Sequence, residues 1–326
     1  MPDSAPNPTA PVVSGFGKVP RMGDFVRMRA GAEPVASFEA WIQEAMAWGE
    51  AKRAAQWPQI YGGGAIHGFV YRAPKKSKST SLLAGVFRPS HDTVGRKFPL
   101  VIAASIPEQV VAPGPHLLPL VLGDFLEGAT HALLNADHVA SLADFENLVD
   151  RVAAPYLDGS SAAAEYDRWS WHTQLWTAWQ AVYGEPYTHA VHAVHTIIEA
   201  LAPFRGTEAP STPLSVRVPL GGAGVAAASF WLDVVRRAAR WGGTVPSFFW
   251  SFDGQTGSML IQLGDTPPSS LCELWRPDPA SDHVCDLVTP GTYDANRILG
   301  KLPPAVAEVL RRGSGPVADF LAALVR

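Results

Sequence analysis

The chain has 326 residues, of which 47% are hydrophobic and 17% are charged. This composition excludes intrinsic disorder as its main character and supplies enough apolar surface for a large core. A formal net charge of -4 argues against broad electrostatic binding to nucleic acid. The only two cysteines, Cys272 and Cys285, exclude a disulfide framework.

The N-terminus lacks the features of a secretory signal. Residues 1–13 carry four prolines among small polar residues, which predicts a disordered Pro-rich tail. A basic region followed by an apolar stretch is absent, and no run of about 18 apolar residues follows that would predict membrane insertion. We therefore expect a cytoplasmic protein with reduced thiols.

The first half of the chain predicts one helix followed by three strands. Apolar residues at helical spacing, from Phe38 to Gly49, indicate an amphipathic helix over residues 35–57. Short apolar segments then predict strands at residues 65–71, 81–87 and 98–106. Because the third of these is almost continuously apolar, we expect it to be central and covered on both faces.

The second half alternates helices and strands. This alternation predicts an α/β fold with a mixed sheet flanked by helices, a layered α/β sandwich. Ser141 and Asp144 stand in the register of an N-terminal helix cap. Helices are predicted at residues 117–134, 142–152, 166–183, 187–202 and 225–241, with short helical stretches near Val306 and Phe320, and strands at 214–218, 247–252 and 258–263.

Two segments combine glycine, proline and paired opposite charges: residues 15–27 and 88–100. This pattern is typical of a constrained loop beside regular structure. We expect the two segments to lie close together, with charged side chains pairing across the ends of neighbouring strands. Either the pairs hold the loops in place, or the loops bind a partner or ligand. The charged residues concerned are Lys18, Arg21, Asp24, Asp92 and Arg96.

These two segments, with the helix that contains Phe38 and Trp41 between them, resemble the TagF (ImpM) family associated with type VI secretion. The order and spacing of the three blocks carry the resemblance, most clearly over residues 15–105 and more weakly to about residue 274. It implies a cytoplasmic, non-enzymatic protein without a cofactor. Such a protein acts as a post-translational repressor by binding the forkhead-associated scaffold protein of the secretion system, in a network with a Ser/Thr kinase and phosphatase.

The resemblance also implies how the chain is divided, and we hypothesise that its motif residues either brace the sheet edge or bind the partner. Residues 14–275 are expected to form the TagF-like domain, with a boundary near 155–210 if it has two halves, and residues 276–326 a C-terminal extension. No catalytic role is implied for the motif. The predicted interaction residues are Lys18, Arg21, Gly23, Asp24, Phe25, Arg27, Asp92, Gly95 and Arg96.

A second motif allows a different function. Gly222 and Gly224 follow a predicted strand and open a predicted helix, as in a dinucleotide-binding turn. An acidic residue about 20 positions later at a strand end is missing, so a simple strand-to-helix turn is favoured. A nucleotide-dependent enzyme remains an alternative.

The helix at residues 187–202 carries three histidines in register. A metal ion could be bound by His189, His192 and His195 with Glu199 beyond them. The protein would then be a metal hydrolase. Since apolar residues fill the opposite side of this helix, a solvated or partner-facing histidine stripe is favoured, and no metal is predicted.

Two further interpretations concern the second half and the function. Trp169, Trp176 and Trp179 can share one helix face, which favours core packing over a protein-binding surface. A structural subunit of the secretion machine is the remaining alternative to a repressor.

Overall fold

In a computed structural model of the chain, nine strands of the described residues form one mixed β-sheet. The structure describes residues 11–77, 79–184, 188–207, 213–241, 245–252, 257–278, 281–288, 291 and 293–325. The strand order is β2-β1-β5-β4-β3-β7-β8-β6-β9. Neighbouring strands are antiparallel except β6 and β9, which are parallel. The strands are β1 Val13–Lys18, β2 Phe25–Met28, β3 His67–Tyr71, β4 Ser81–Arg88, β5 Leu100–Pro107, β6 Ser215–Pro219, β7 Ser247–Phe252, β8 Gly257–Gln262 and β9 Cys285–Asp286.

Helices cover both faces of the sheet, which confirms the predicted α/β sandwich. The α-helices of the described residues are α1 Glu33–Lys52, α2 Trp57–Gly62, α3 Glu108–Val111, α4 Leu118–Val121, α5 Gly123–Asn135, α6 Leu142–Asp150, α7 Ser160–His172, α8 Leu175–Tyr183, α9 Thr188–Leu201, α10 Gly224–Ala239, α11 Ser270–Trp275, α12 Ala295–Leu299, α13 Pro304–Arg312 and α14 Val317–Ala323. Short 3-10 turns at Pro115–Leu117, Ala136–His138, Ala202–Phe204 and Gly221–Ala223 join some of them.

Strand β5 shows why both faces of the sheet are covered by apolar packing. Its side chains alternate between the faces, as the pleat of a strand requires. Val101 and Ala103 lie in the apolar cluster that contains α1, whereas Leu100, Ile102 and Ala104 lie in the cluster on the opposite face. All five are buried, so the predicted central position of this strand is confirmed.

Helix α1 covers one face through stacked aromatic rings. The ring centroids of Phe38 and Phe69 are 4.3 Å apart, and those of Trp41 and Phe249 are 5.4 Å apart. These rings lie on α1 and on strands β3 and β7, so the helix bridges the two halves of the chain. Phe38 is fully buried, and truncating such a residue to alanine typically costs about 3–5 kcal/mol.

The opposite face holds the larger helical layer. Trp179 of α8 packs against Phe230 of α10 and against Phe320 of α14, with ring centroids 5.1 and 5.7 Å apart. The last helix is therefore part of the core. Strand β9 is tied to the sheet as well, because Arg217 and Asp286 form a two-pronged ion pair whose side chains are each 5% exposed.

Most predicted elements are present, but two predicted helices are broken. The helix expected at residues 117–134 divides into α4 and α5, and the one expected at 166–183 divides into α7 and α8. The second break falls at Thr173 and Gln174, where Gln174 forms a β-bridge with Pro316. The predicted Ser141 cap is confirmed, since its hydroxyl accepts a hydrogen bond from the Asp144 amide at 3.2 Å.

Some predictions concern residues outside those described. Residues 1–10 of the predicted tail lie outside them, while Val13 already belongs to β1. Residues 279–280, 289–290, 292 and 326 of the predicted extension, and residue 187 at the start of one predicted helix, also lie outside them. Over the described ranges, no single helix has both the length and the apolarity to cross a bilayer, although the bent pair Pro115–Val121 and Gly123–His138 meets those two criteria together.

Candidate interaction site at two paired loops

Two loops meet at one end of the sheet. The first loop (residues 19–24) joins β1 to β2, and the second loop (residues 89–99) joins β4 to β5. Strand β1 runs antiparallel to β5, with Phe16 opposite Val101. The end of β1 therefore lies beside the start of β5, which brings the two loops together. The prediction of a loop over residues 15–27 was wrong at both ends, where β1 and β2 form a hairpin.

Gly17 allows the close approach of the second loop. Its φ angle is +129°, which side-chain-bearing residues rarely adopt. A Cβ atom at this position would lie 2.1 Å from the carbonyl oxygen of Pro99 and 2.8 Å from the Cα atom of Leu100. Any side chain here would push the second loop away from β1.

Asp92 is the centre of the contacts between the loops. Its Oδ2 atom accepts hydrogen bonds from Lys18 Nζ at 2.8 Å and from Arg96 Nε at 2.7 Å. Its Oδ1 atom accepts from the backbone amides of Val94 at 3.0 Å and Arg96 at 2.9 Å. The side chain of Asp92 is fully buried. The hydrogen bond from Lys18, followed by those from Arg96 and Val94, holds the pKa of this carboxyl well below its usual range.

Backbone and side-chain bonds then join the loops directly. Arg96 donates from a guanidinium nitrogen to the carbonyl oxygen of Gly23 at 2.5 Å. The backbone amide of Thr93 donates to the carbonyl oxygen of Met22 at 3.1 Å. Gly95 has a φ angle of +86° and closes the turn by donating to the carbonyl of Asp92 at 2.9 Å. The predicted proximity of residues 18–27 and 92–96 is confirmed.

Phe25 and Arg27 connect this pair of loops to α1. The ring of Phe25 packs edge-on against Phe98, with centroids 5.0 Å apart, and the guanidinium of Arg27 lies 5.1 Å from the Phe25 ring. Arg27 also forms an ion pair with Glu39 of α1, which is buried. These two predicted residues therefore have a visible structural role.

The remaining predicted residues lie on the surface. Arg21, Gly23 and Asp24 are exposed, and within the part of the chain that the structure describes Arg21 and Asp24 form no ion pair or side-chain hydrogen bond. Val94, which the sequence did not single out, is 76% exposed at the tip of the second loop. The predicted pairing of Arg21 and Asp24 across strand ends was wrong, because both side chains point outward from the hairpin turn.

One residue that supports the second loop was missed. The hydroxyl of Tyr61, on α2, donates to the carbonyl of Ser90 at 2.6 Å and accepts from the Ser90 amide at 3.1 Å. Burial raises the pKa of Tyr61, which keeps the hydroxyl protonated as this donor. Tyr61 stands 29 residues before its partner in the chain, so no local sequence pattern reveals the contact.

Both loops lie within a segment that matches a known family. Residues 14–154 match the family model described as the TagF N-terminal domain, type VI secretion system-associated. These residues form a TagF N-terminal domain. The protein is accordingly associated with type VI secretion, as the resemblance of the two charged segments implied. The match extends beyond the predicted core of residues 15–105 and takes in α5 and α6.

The other comparisons add little to this assignment. The crystal structure of PA0076 from Pseudomonas aeruginosa PAO1 is 19% identical in sequence, with a TM-score of 0.49, and the match covers 86% of this chain and 100% of that one. No curated protein matches the chain.

The glycine-rich turn lies beyond the TagF N-terminal domain. Gly221 has a φ angle of +52°, and a Cβ atom there would lie 2.2 Å from the carbonyl oxygen of Ala181 on α8. Gly224 begins α10 with a φ angle of +51°. Close packing between the turn and α8 therefore accounts for glycine at Gly221, in line with the favoured interpretation of a strand-to-helix turn.

The histidine stripe also lies beyond the TagF N-terminal domain, and two of its histidines contact Gly291 and Tyr293. The ring of His192 stacks on Tyr293 with centroids 3.7 Å apart, and His189 Nε2 lies 3.1 Å from the carbonyl oxygen of Gly291. Burial lowers the pKa of His192. His192 is therefore partly covered by Tyr293 instead of fully solvated, and the partner-facing alternative stays a prediction. Among the described residues, no three His, Cys, Asp or Glu side chains are placed to hold a metal ion.

The tryptophans do not share one face, because the helix that was predicted to carry them is broken. Trp179 is buried and Trp169 packs against Phe230 at 6.0 Å. Trp171 and Trp176 are instead 62% and 44% exposed. The prediction of core packing holds for Trp169 and Trp179 and was wrong for Trp176.

Proposed function

We propose that this protein is a non-enzymatic repressor of type VI secretion that acts in the cytoplasm by binding the forkhead-associated scaffold of that system. The paired loops are the surface through which it binds. The family of residues 14–154 supports a place in the secretion system, and the geometry of the loops supports binding as the mode of action.

The observation that carries this proposal is that hydrogen bonds within the loops occupy the Asp92 carboxylate. Both of its oxygens are occupied, by four donors from three residues, and its pKa is lowered. A carboxylate held in this way is a poor general base, because a base must take up a proton near the working pH. The charges inside the loops instead fix their shape, which leaves the exposed side chains as a preorganised surface for a partner.

The exposed side chains suit a protein partner. Val94 projects an apolar group at the tip of the second loop, and the outward-facing charges Arg21 and Asp24 lie on the adjoining first loop. Because these charges have no ion pair within the described residues, a partner can pair with them without breaking an internal contact.

A deletion experiment separates a repressor from an assembly subunit. In the bacterium that encodes this chain, deleting the gene should increase the amount of secreted type VI substrate, and expression from a plasmid should restore the low level. The double variant Arg21→Glu, Val94→Asp should fail to restore it, whereas Arg168→Glu, which changes an exposed arginine on α7, should restore it fully.

Loss of secretion in the deletion strain would contradict the repressor and favour the assembly subunit. Full repression by the double variant would contradict the assignment of the interface to the paired loops, whatever the phenotype of the deletion.

A further inference from the structure

A cleft in the surface adjoins the paired loops. A cleft of about 630 Å³ opens between the end of α2, the segment before β3, the second loop and the end of α5. Its volume falls within the range of roughly 300–1,000 Å³ that is typical of ligand sites. His91, Gly95 and Lys97 of the second loop form part of its wall, so the cleft and the paired loops share one surface.

The permanently charged side chains of this cleft, Arg88 and Lys97, are both positive. Arg88, His91 and Lys97 line it, and the described lining residues include no aspartate or glutamate. Asp137 pairs with Arg88 from outside the lining, so the positive charge at the surface comes chiefly from Lys97, with His91 beside it. Both of these residues are exposed.

His91 and Lys97 are held side by side. They form an antiparallel β-bridge across the neck of the second loop, and side chains directly opposite each other in such a bridge project to the same side. The ammonium group of Lys97 lies 5.2 Å from the centroid of the Tyr61 ring. This contact between cation and aromatic face holds the ammonium group beside Tyr61, which also lines the cleft.

Two buried side-chain atoms of lining residues have no hydrogen-bond partner among the described residues, and one of them, a hydroxyl, can both donate and accept. The hydroxyl of Ser90, a residue that is 4% exposed, and the Nε atom of Arg88 are buried and have no hydrogen-bond partner among the described residues. The exposed ammonium of Lys97, which only donates, calls for a ligand that brings acceptors. An ionised carboxylate offers acceptors only, and charge-assisted hydrogen bonds to it are the stronger kind.

The rest of the wall is apolar. Ile66, Pro89 and Leu134 line the cleft, and Leu134 is 53% exposed although it is a large aliphatic residue. A ligand that fills the whole cleft must therefore combine negative charge with an apolar group, as an acidic segment of a polypeptide does.

We propose that this cleft binds an acidic peptide segment of a protein partner, with an aspartate or glutamate side chain at Lys97 and His91 and an apolar side chain against Leu134. The inference rests on the proposed function, because the cleft continues the surface of the paired loops. It adds the chemistry of the partner: a carboxylate next to an apolar residue.

A peptide selection tests this directly. A phage-displayed library of random 12-residue peptides is selected on the immobilised full-length chain. We expect the enriched peptides to carry aspartate or glutamate beside an apolar residue. Synthetic copies should bind the Lys97→Glu and His91→Glu variants at least tenfold more weakly, and the Lys301→Glu variant, which reverses an exposed lysine elsewhere, with unchanged affinity.

The outcome does not depend on secretion. Each variant is first checked by thermal melting, and two separate reversals in the cleft guard against the misfolding of one. An enriched pool without an excess of acidic residues, equal binding to the parent and both cleft variants, or no enrichment would overturn the inference. None of these results bears on the deletion phenotype, so the inference and the proposed function can fail separately.

Discussion

Asp92 shows which contacts of this site can be predicted from residue types alone. Its pairing with Lys18 and Arg96 was predictable, because opposite charges in two glycine- and proline-rich segments seldom stay apart. The outward placement of Arg21 and Asp24 was not, since it depends on the backbone path of the hairpin turn. The contact from Tyr61 was not predictable either, because it joins α2 to the second loop across the fold.

His67 gives a prediction at the residue scale. Burial lowers its pKa to about 4, against an ordinary value of 6.5. As pH falls below about 6.5, the unfolded chain takes up a proton that the folded chain refuses, so the free energy of unfolding falls until pH reaches about 4. One such group contributes about 1.4 kcal/mol per pH unit within this window.

Replacing His67 by glutamine should therefore flatten the pH dependence of stability. Urea unfolding of the parent and the His67→Gln variant between pH 4 and 6.5 measures the difference in slope. His116, whose pKa is also about 4 because of burial, remains in both proteins. His131→Gln, at an exposed position, should leave the slope unchanged. Equal slopes for the parent and His67→Gln would show that His67 does not resist protonation.

At the scale of elements, strands and helices with a clear period were predictable and their ends were not. Strand β5 was evident from its continuous apolar run. Strand β9 was not, because it has two residues and is held by the ion pair of Arg217 and Asp286 and by pairing with β6. The break between α7 and α8 was missed because the bridge from Gln174 to Pro316 comes from a segment 142 residues later in the chain, beyond any local period.

The ion pair of β9 gives the prediction for this scale. In the Arg217→Met variant, Asp286 would remain in a site where its side chain is 5% exposed, without its guanidinium partner. Removing one partner of a buried pair typically lowers the free energy of unfolding by about 3–5 kcal/mol. Urea unfolding should show this loss.

A double variant serves as the control for this pair. Arg217→Met combined with Asp286→Leu removes both charges and should recover much of the lost stability. A loss below about 1 kcal/mol in the single variant would mean that the pair does not hold β9 on the sheet.

At the scale of the whole molecule, the sheet unites the two halves of the chain. Strand β3 from the TagF N-terminal domain pairs with β7 from the second half, and α1 stacks on Phe249 of β7. The layered α/β architecture followed from the alternation of strands and helices. The strand order did not, because it depends on which edges pair over long distances. The predicted boundary between residues 14–275 and the C-terminal extension stays a prediction.

The affinity of the purified chain for the forkhead-associated scaffold protein of its secretion system tests the central claim most directly. Titration calorimetry should show binding by the parent chain and by Arg168→Glu with equal affinity. The double variant Arg21→Glu, Val94→Asp should bind at least tenfold more weakly, a loss of about 1.4 kcal/mol, while its melting temperature stays that of the parent. Binding of equal strength by all three proteins, or no binding by the parent, would contradict the claim that the paired loops receive this partner.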